Sequence, residues 1–139
     1  MSSEERIPIT VDSDGQIATW AIQRSSSPTD RTWTLELDAP DGRSWSAQAS
    51  DVFKCLLILR RQPEPEAIRL CCNGARINAW ASGMARDMGG GIQVYLVTLR
   101  QRPSLDDLVP TLYPAPLAEI APTVEAQEDF NETWLRSVQ

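Results

Sequence analysis

Histidine is absent from this chain, and lysine occurs once, at Lys54. The first absence removes Ser-His and Cys-His nucleophile pairs, along with the commonest metal ligand and general base. The second leaves Schiff-base or lysine-assisted phosphate chemistry to one side chain inside an expected helix. No phosphate-loop or dinucleotide-binding glycine pattern occurs, and no metal-spaced cysteine pattern. No apolar run approaches the ~18 residues that a membrane span needs, and MSSEERIP has no apolar stretch of the secretory kind. A cytoplasmic protein without a membrane segment is the reading. Cysteines are few: Cys55, Cys71 and Cys72 are odd in number, sit in apolar text, and are expected as reduced core thiols. Glu36, Asp38, Asp41 and Asp87 fall mostly at strand exits and turns, where aspartate serves the turn. No catalytic residue, metal ligand or cofactor is expected.

What is present is apolar text at 42% of 139 residues, enough for one α+β domain over residues 1–139. The net charge of −6 is unevenly placed. Residues 103–139 hold seven acids against Arg136 alone, a net of −6, and residues 1–102 hold twelve side chains of each sign. Nucleic acid is disfavoured as a partner, because phosphate neutralisation needs a basic surface. A basic protein is the partner that such a chain would attract.

Residues 1–5 are expected to fray. Ile7, Ile9 and Val11 then alternate with polar or small neighbours, as do Ala18, Trp20 and Ile22, then Trp33, Leu35 and Leu37, then Trp45, Ala47 and Ala49. Period-two alternation predicts four strands with one buried face. Asp14-Gly15, the loop Ser25–Asp30 and Pro40-Asp41-Gly42 join them into an antiparallel meander. Ser50 is a candidate cap for a helix over Val52–Arg61, stopped by Pro63 and Pro65. That helix is apolar nearly all round, so contact on two sides is expected. Ile68–Cys72 and Ile92–Leu99 read as strands joined by about twenty residues with a short helix capped by Ser82. Met84 and Met88 fall at i, i+4, and Gly89 suits the left-handed closing position. A β-(short α)-β crossover between parallel neighbours is expected, with an antiparallel pair as the alternative. Residues 103–124 hold five prolines and read as an extended wrapping segment, with Leu108, Leu112, Tyr113, Leu117 and Ile120 seeking burial. Residues 125–138 close the chain as an amphipathic helix with Phe130, Trp134 and Val138 on one stripe.

The least generic text is NGARINAWASGMARDMGGGIQVYLV, residues 73–97. Asn73, Arg76, Asn78, Trp80 and Tyr95 make a candidate recognition surface, since arginine and tryptophan anchor interfaces. The competing reading buries Trp80 and pairs Arg76 with an acid. Asp106, Asp107, Glu125, Glu128, Asp129 and Glu132 are candidates for contacting a basic partner, the alternative being a solubilising tail. Arg76, Ser82 and Arg86 form a weaker candidate for a small anion. The triple glycine 89–91 follows a helix rather than preceding one, so it reads as a helix stop and turn, not a phosphate cradle.

This block is similar to stretches of small bacterial proteins, and the twelve-to-one ratio of arginine to lysine suits a GC-rich genome. In size, acidity and lack of catalytic machinery the whole chain resembles immunity proteins of bacterial contact-dependent and polymorphic toxin systems. The resemblance implies a binding protein that occludes a basic toxin domain, and it carries over no site residue. Competing classes are a secretion chaperone or adaptor, for which a homodimer is the expected state, and a small anion-binding domain or enzyme using Arg76, Ser82 and Arg86.

Overall fold

A computed structural model describes residues 3–83, 86 and 89–139. The fold is α+β. Four strands open the chain: β1 (Ser3–Ser13), β2 (Gln16–Ser27), β3 (Thr32–Asp38) and β4 (Ser44–Ala49). Helix α1 (Val52–Arg61) follows, then β5 (Ile68–Leu70), and the curled first sheet has the antiparallel order β4-β3-β2-β1-β5. A small second sheet has the order β6-β7-β8, from Ala79–Trp80, Gln93–Leu96 and Leu108–Pro110. Helix α2 (Val124–Ser137) ends the fold.

The hairpin turn is the two residues Asp14 (φ 50°) and Gly15 (φ 89°), both left-handed as a type I′ turn requires. The first residues do not fray after Ser3. Glu4 and Glu5 lie opposite Ser25 and Arg24, and Arg24 reaches Glu5 at 3.0 Å. β2 extends through Ser27, so the three serines, half of the expected loop, are strand. Serine is a poor strand former alone, but here Ser25 and Ser26 find ladder partners on both sides and Ser27 pairs with Thr32.

Ile9, Val11, Trp20, Ile22, Leu35, Leu37 and Ala47 form the inner face of the first sheet, buried against Val52, Cys55, Leu56 and Leu59 of α1. Phe53 leaves α1 on the other side, into a second cluster with Ala79, Ala81 and Val94. The two-sided burial of α1 is thus real, with one sheet on each flank. Its cap is Asp51, not Ser50: Asp51 has extended φ/ψ and its Oδ1 accepts the Lys54 N–H at 2.8 Å.

Within the triple glycine the left-handed residues are Gly90 and Gly91, both at φ 68°, rather than Gly89. The proposed helix contacts of Met84 and Met88 lie outside the described residues. Gly90 O accepts the Val52 N–H at 2.8 Å, so the glycines close the N-terminus of α1 as well as making a turn. A Cβ on Gly91 would stand 2.8 Å from the nitrogen of Phe53 and 3.0 Å from that of Val52. Left-handed strain of about 1–2 kcal/mol adds to an overpacking cost of about 1–3 kcal/mol. Gly91→Ala is therefore expected to lower stability by roughly 2–5 kcal/mol. Urea unfolding followed by tryptophan fluorescence reads this directly.

The expected crossover does not form. β5 pairs antiparallel with β1, while β7 lies in the second sheet between β6 and β8. The reason lies in residues 71–77, which the proline-rich segment occupies: Tyr113 O accepts from Asn73 N, Thr111 O from Gly74 N, and Glu119 O from Ile77 N. Ala115 N and Ala121 N return bonds to Cys71 O and Ala75 O. The extended segment does wrap the molecule, and Leu112 and Ile120 are buried as expected. Tyr113 is 63% exposed instead, because its backbone is the part that binds and Leu112 takes the inward position.

Candidate functional site

Helix α2 begins after Pro122, with Thr123 as its cap accepting the Ala126 N–H at 3.1 Å. It runs one residue earlier than the expected 125–138, and Val138 caps it. At about 100° per residue, Val124, Gln127, Phe130, Asn131 and Trp134 face inward, while Glu125, Glu128, Asp129 and Glu132 fall within one arc on the opposite side. The burial agrees: Val124, Gln127 and Trp134 are buried and all four acids are exposed.

Two kinds of contact hold α2 in that orientation. Trp134 packs against Trp80 with ring centroids 4.8 Å apart, and its Nε1–H donates to Gln101 O at 3.0 Å. Polar anchors complete the seat. Gln127 donates to Gly74 O at 3.0 Å and accepts from the buried Arg60, and Asn131 donates to Ala79 O at 3.1 Å. Burial, the largest influence, holds the Arg60 guanidinium below its ordinary range. Beside it, Arg61 forms an ion pair with Glu128. Of the seven acids after residue 102, Glu128 is the one in an ion pair among the described residues. Most of this acidic quarter therefore faces solvent uncompensated.

Asp106 and Asp107 stand on a 3-10 turn, Leu105–Asp107. Asp107 turns back to accept the Ser104 N–H at 2.8 Å, and Asp106 is exposed. Upstream, Arg100 N–H donates to Ser137 Oγ and Arg102 to Val138 O, which ties this segment to the C-terminal end of α2.

The candidates from residues 73–95 are brought together, but mostly inward. Asn73 is buried, donating to Pro110 O at 3.0 Å and accepting from Arg76 Nε at 3.0 Å. Asn78 exchanges bonds with Val97 through its side chain at 3.1 Å and its carbonyl at 2.9 Å. Trp80 and Tyr95 are cross-strand partners, ring centroids 6.2 Å apart and half-buried. These residues brace the second sheet, and Trp80 and Tyr95 keep partial exposure.

Arg86 and Arg76 are separated. Arg76 is held by Asn73, whereas Arg86 Nε donates to Ala81 O at 3.2 Å and its guanidinium lies over the Phe53 ring. Ser82 O accepts the Arg86 N–H at 3.0 Å. Arg86 lines a cleft of about 400 Å³ with Arg31, Trp33, Ser50 and Gly90. Arg31, in a left-handed turn at φ 53°, has no sequence signal that would have joined it to Arg86.

Burial pushes the Cys55 and Cys72 thiols up to about 11, and burial followed by the nearby Asp12 charge raises Cys71. Such thiols stay protonated at neutral pH and are poor nucleophiles. Among the described residues, no group of three His, Cys, Asp or Glu side chains is placed to hold a metal ion, and no helix is long and apolar enough to cross a membrane. Compared with known proteins, the chain matches no family model and no curated sequence.

Proposed function

We propose that this chain is a non-catalytic binding protein that holds a basic protein domain through the outward face of α2, and that it acts as a cytoplasmic immunity protein neutralising a bacterial toxin. One observation carries the reading. Glu125, Asp129 and Glu132 project from a helix whose opposite face is locked by Trp134 and Gln127, so the acids are presented rigidly and make no ion pair among the described residues. A preorganised charged face speeds encounter and selects partners of opposite sign. A merely solubilising tail needs no such seat.

The test is binding to the toxin encoded beside this chain in its genome. Raising ionic strength from about 0.01 M to about 0.15 M shortens the screening length from roughly 30 Å to roughly 8 Å. The association rate is expected to fall by about tenfold or more over that interval. A complex that forms at a salt-independent rate, or no complex at all, rejects the proposal.

A further inference from the structure

The N-terminal end of α2 borders a second feature, a cleft of about 330 Å³ lined by Asp12, Asp14, Glu64, Ile68, Arg69 and Pro122 among others. It collects three carboxylates from three separate places: the end of β1, the hairpin turn and the segment after α1. The Asp12 side chain is only 7% exposed. Its Oδ2 accepts from Arg69 at 3.2 Å, but Oδ1 is buried and meets no donor. A buried carboxylate oxygen without a partner is costly and calls for an explanation.

We propose that this cleft is a socket for one cationic side chain, arginine or lysine, supplied by the basic partner; the assignment of that partner rests on the binding reading above. The acceptors fit. Glu64 spends Oε1 on the Val124 N–H at 2.6 Å and keeps its second oxygen. Asp14 makes no ion pair among the described residues. Arg69 is the lining cation against the three acids, and Arg60, whose charge also reaches Glu64, is committed to Gln127. Carboxylate χ2 torsions are broad, so a small swing of Asp12 turns Oδ1 toward an entering N–H donor while Arg69 stays bonded. The volume sits at the low end for ligand pockets, of a size for one side chain. Position argues the same way. Glu64 caps the residue that begins α2, and Glu125 then leads the acidic face, so socket and face form one electronegative surface. Interfaces concentrate their binding energy where a long side chain is desolvated in such a pocket.

The experiment is an amide NMR titration of the full chain with n-butylguanidine, a guanidinium on an alkyl stem, and separately with n-butylamine. Saturable shifts confined to residues 12–15, 64–69 and 123–124 are expected. Asp14→Asn with Glu64→Gln removes two charges while sparing the fold, since asparagine suits φ 50° and glutamine keeps an acceptor for Val124. This double variant is expected to weaken the probe and the partner by about tenfold each. Saturation by n-butylguanidine alone assigns arginine, by n-butylamine alone lysine, and by both probes either side chain. No saturable shift, or equal shifts in the double variant, overturns the socket. If the double variant binds the partner normally while charge reversal on α2 abolishes binding, the socket's role in the complex falls and the binding reading stands. If the wild-type chain binds no basic partner, the binding reading falls, and the two probe titrations still decide the cation chemistry of the cleft.

Discussion

Replacing Gln127 by alanine is expected to lower the stability of the protein by about 3–5 kcal/mol, the range for stripping the partner from a buried charge. Gln127 is fully buried and connects four parts of the fold. Its Oε1 accepts from Arg60 of α1, and its Nε2 donates to Gly74 O at 3.0 Å and Ala79 O at 3.3 Å. Alanine would leave a guanidinium that is 4% exposed without its acceptor, and take one donor from each of two carbonyls. The graded series is as informative as the deletion. Gln127→Glu offers Arg60 a charge but turns carboxylate oxygens toward the Gly74 and Ala79 carbonyls, so an intermediate loss is expected. Arg60→Leu combined with Gln127→Leu removes charge and partner together and is expected to recover a large part of the loss, because apolar replacement of a buried polar pair is often near neutral. Urea unfolding midpoints at constant slope decide among these. A loss below about 1 kcal/mol for Gln127→Ala would mean that water replaces the amide and that α2 is seated by Trp134 alone.

That amide also marks the limit of what the sequence made legible. The four meander strands were readable because each alternates apolar and polar residues over five residues or more, and because Asp14-Gly15 names its own turn. The amphipathic reading of α2 rests on Trp134, which is only 2% exposed, as the stripe requires. Gln127 and Asn131 lie on the same inward side, but a polar residue beside an apolar stripe carries no signal until its partners are known. Arg60 had the same fate: a basic residue in the last turn of a helix suggests dipole compensation at the surface, and only the packing of α2 buries it.

The second sheet was hidden for a different reason. β6 has two residues and β8 three, too short for any periodicity, and β8 includes Pro110. A sheet made of such pieces is specified by neighbours far away in sequence, here Asn73 holding Pro110 O and Thr111 holding Gly91 O at 2.7 Å. The block 73–97 looked like a recognition surface because asparagine, arginine and tryptophan cluster there. In the fold Asn73 and Asn78 hydrogen-bond the carbonyls of Pro110 and Val97, Arg76 holds Asn73, and Trp80 packs on Tyr95 and Trp134. The acidic quarter was the most legible part of the candidate site, since charge sign survives any rearrangement of the backbone. The spacing 125, 128, 129 and 132 also carries its arrangement on one helix face, which net charge alone does not reveal. The Asp12 cleft was not legible at all, because it joins β1, a turn and the segment after α1 without any shared motif.

Reversing three charges on α2 tests the central functional claim most severely. Glu125→Lys, Asp129→Lys and Glu132→Lys together are expected to weaken binding to a basic partner by about a hundredfold or more, since opposing like charges across an interface costs several kcal/mol. Glu128 is left in place because it pairs with Arg61. Each reversal changes the charge by +2, so the formal net charge moves from −6 to zero. The fold should tolerate this. All three residues are exposed, lysine is a good helix former, and the unfavourable changes are small: a cation in the first turn at position 125 and a like-charge i,i+4 spacing between position 132 and Arg136. Stability is therefore expected to shift by less than about 1 kcal/mol. Steering should reverse along with affinity: salt slows association of the native chain and should speed that of the variant, because screening now removes repulsion. A control with the same change in net charge, Glu4→Lys, Asp30→Lys and Glu36→Lys, places the cations on the first sheet and the loop after β2, all at exposed positions. If only total charge matters, both triple variants lose affinity alike. If the face of α2 is the docking surface, the sheet variant keeps most of its affinity and the helix variant does not. Rapid-mixing association rates at two ionic strengths separate these outcomes, and equal binding by all three proteins would remove α2 from the interface.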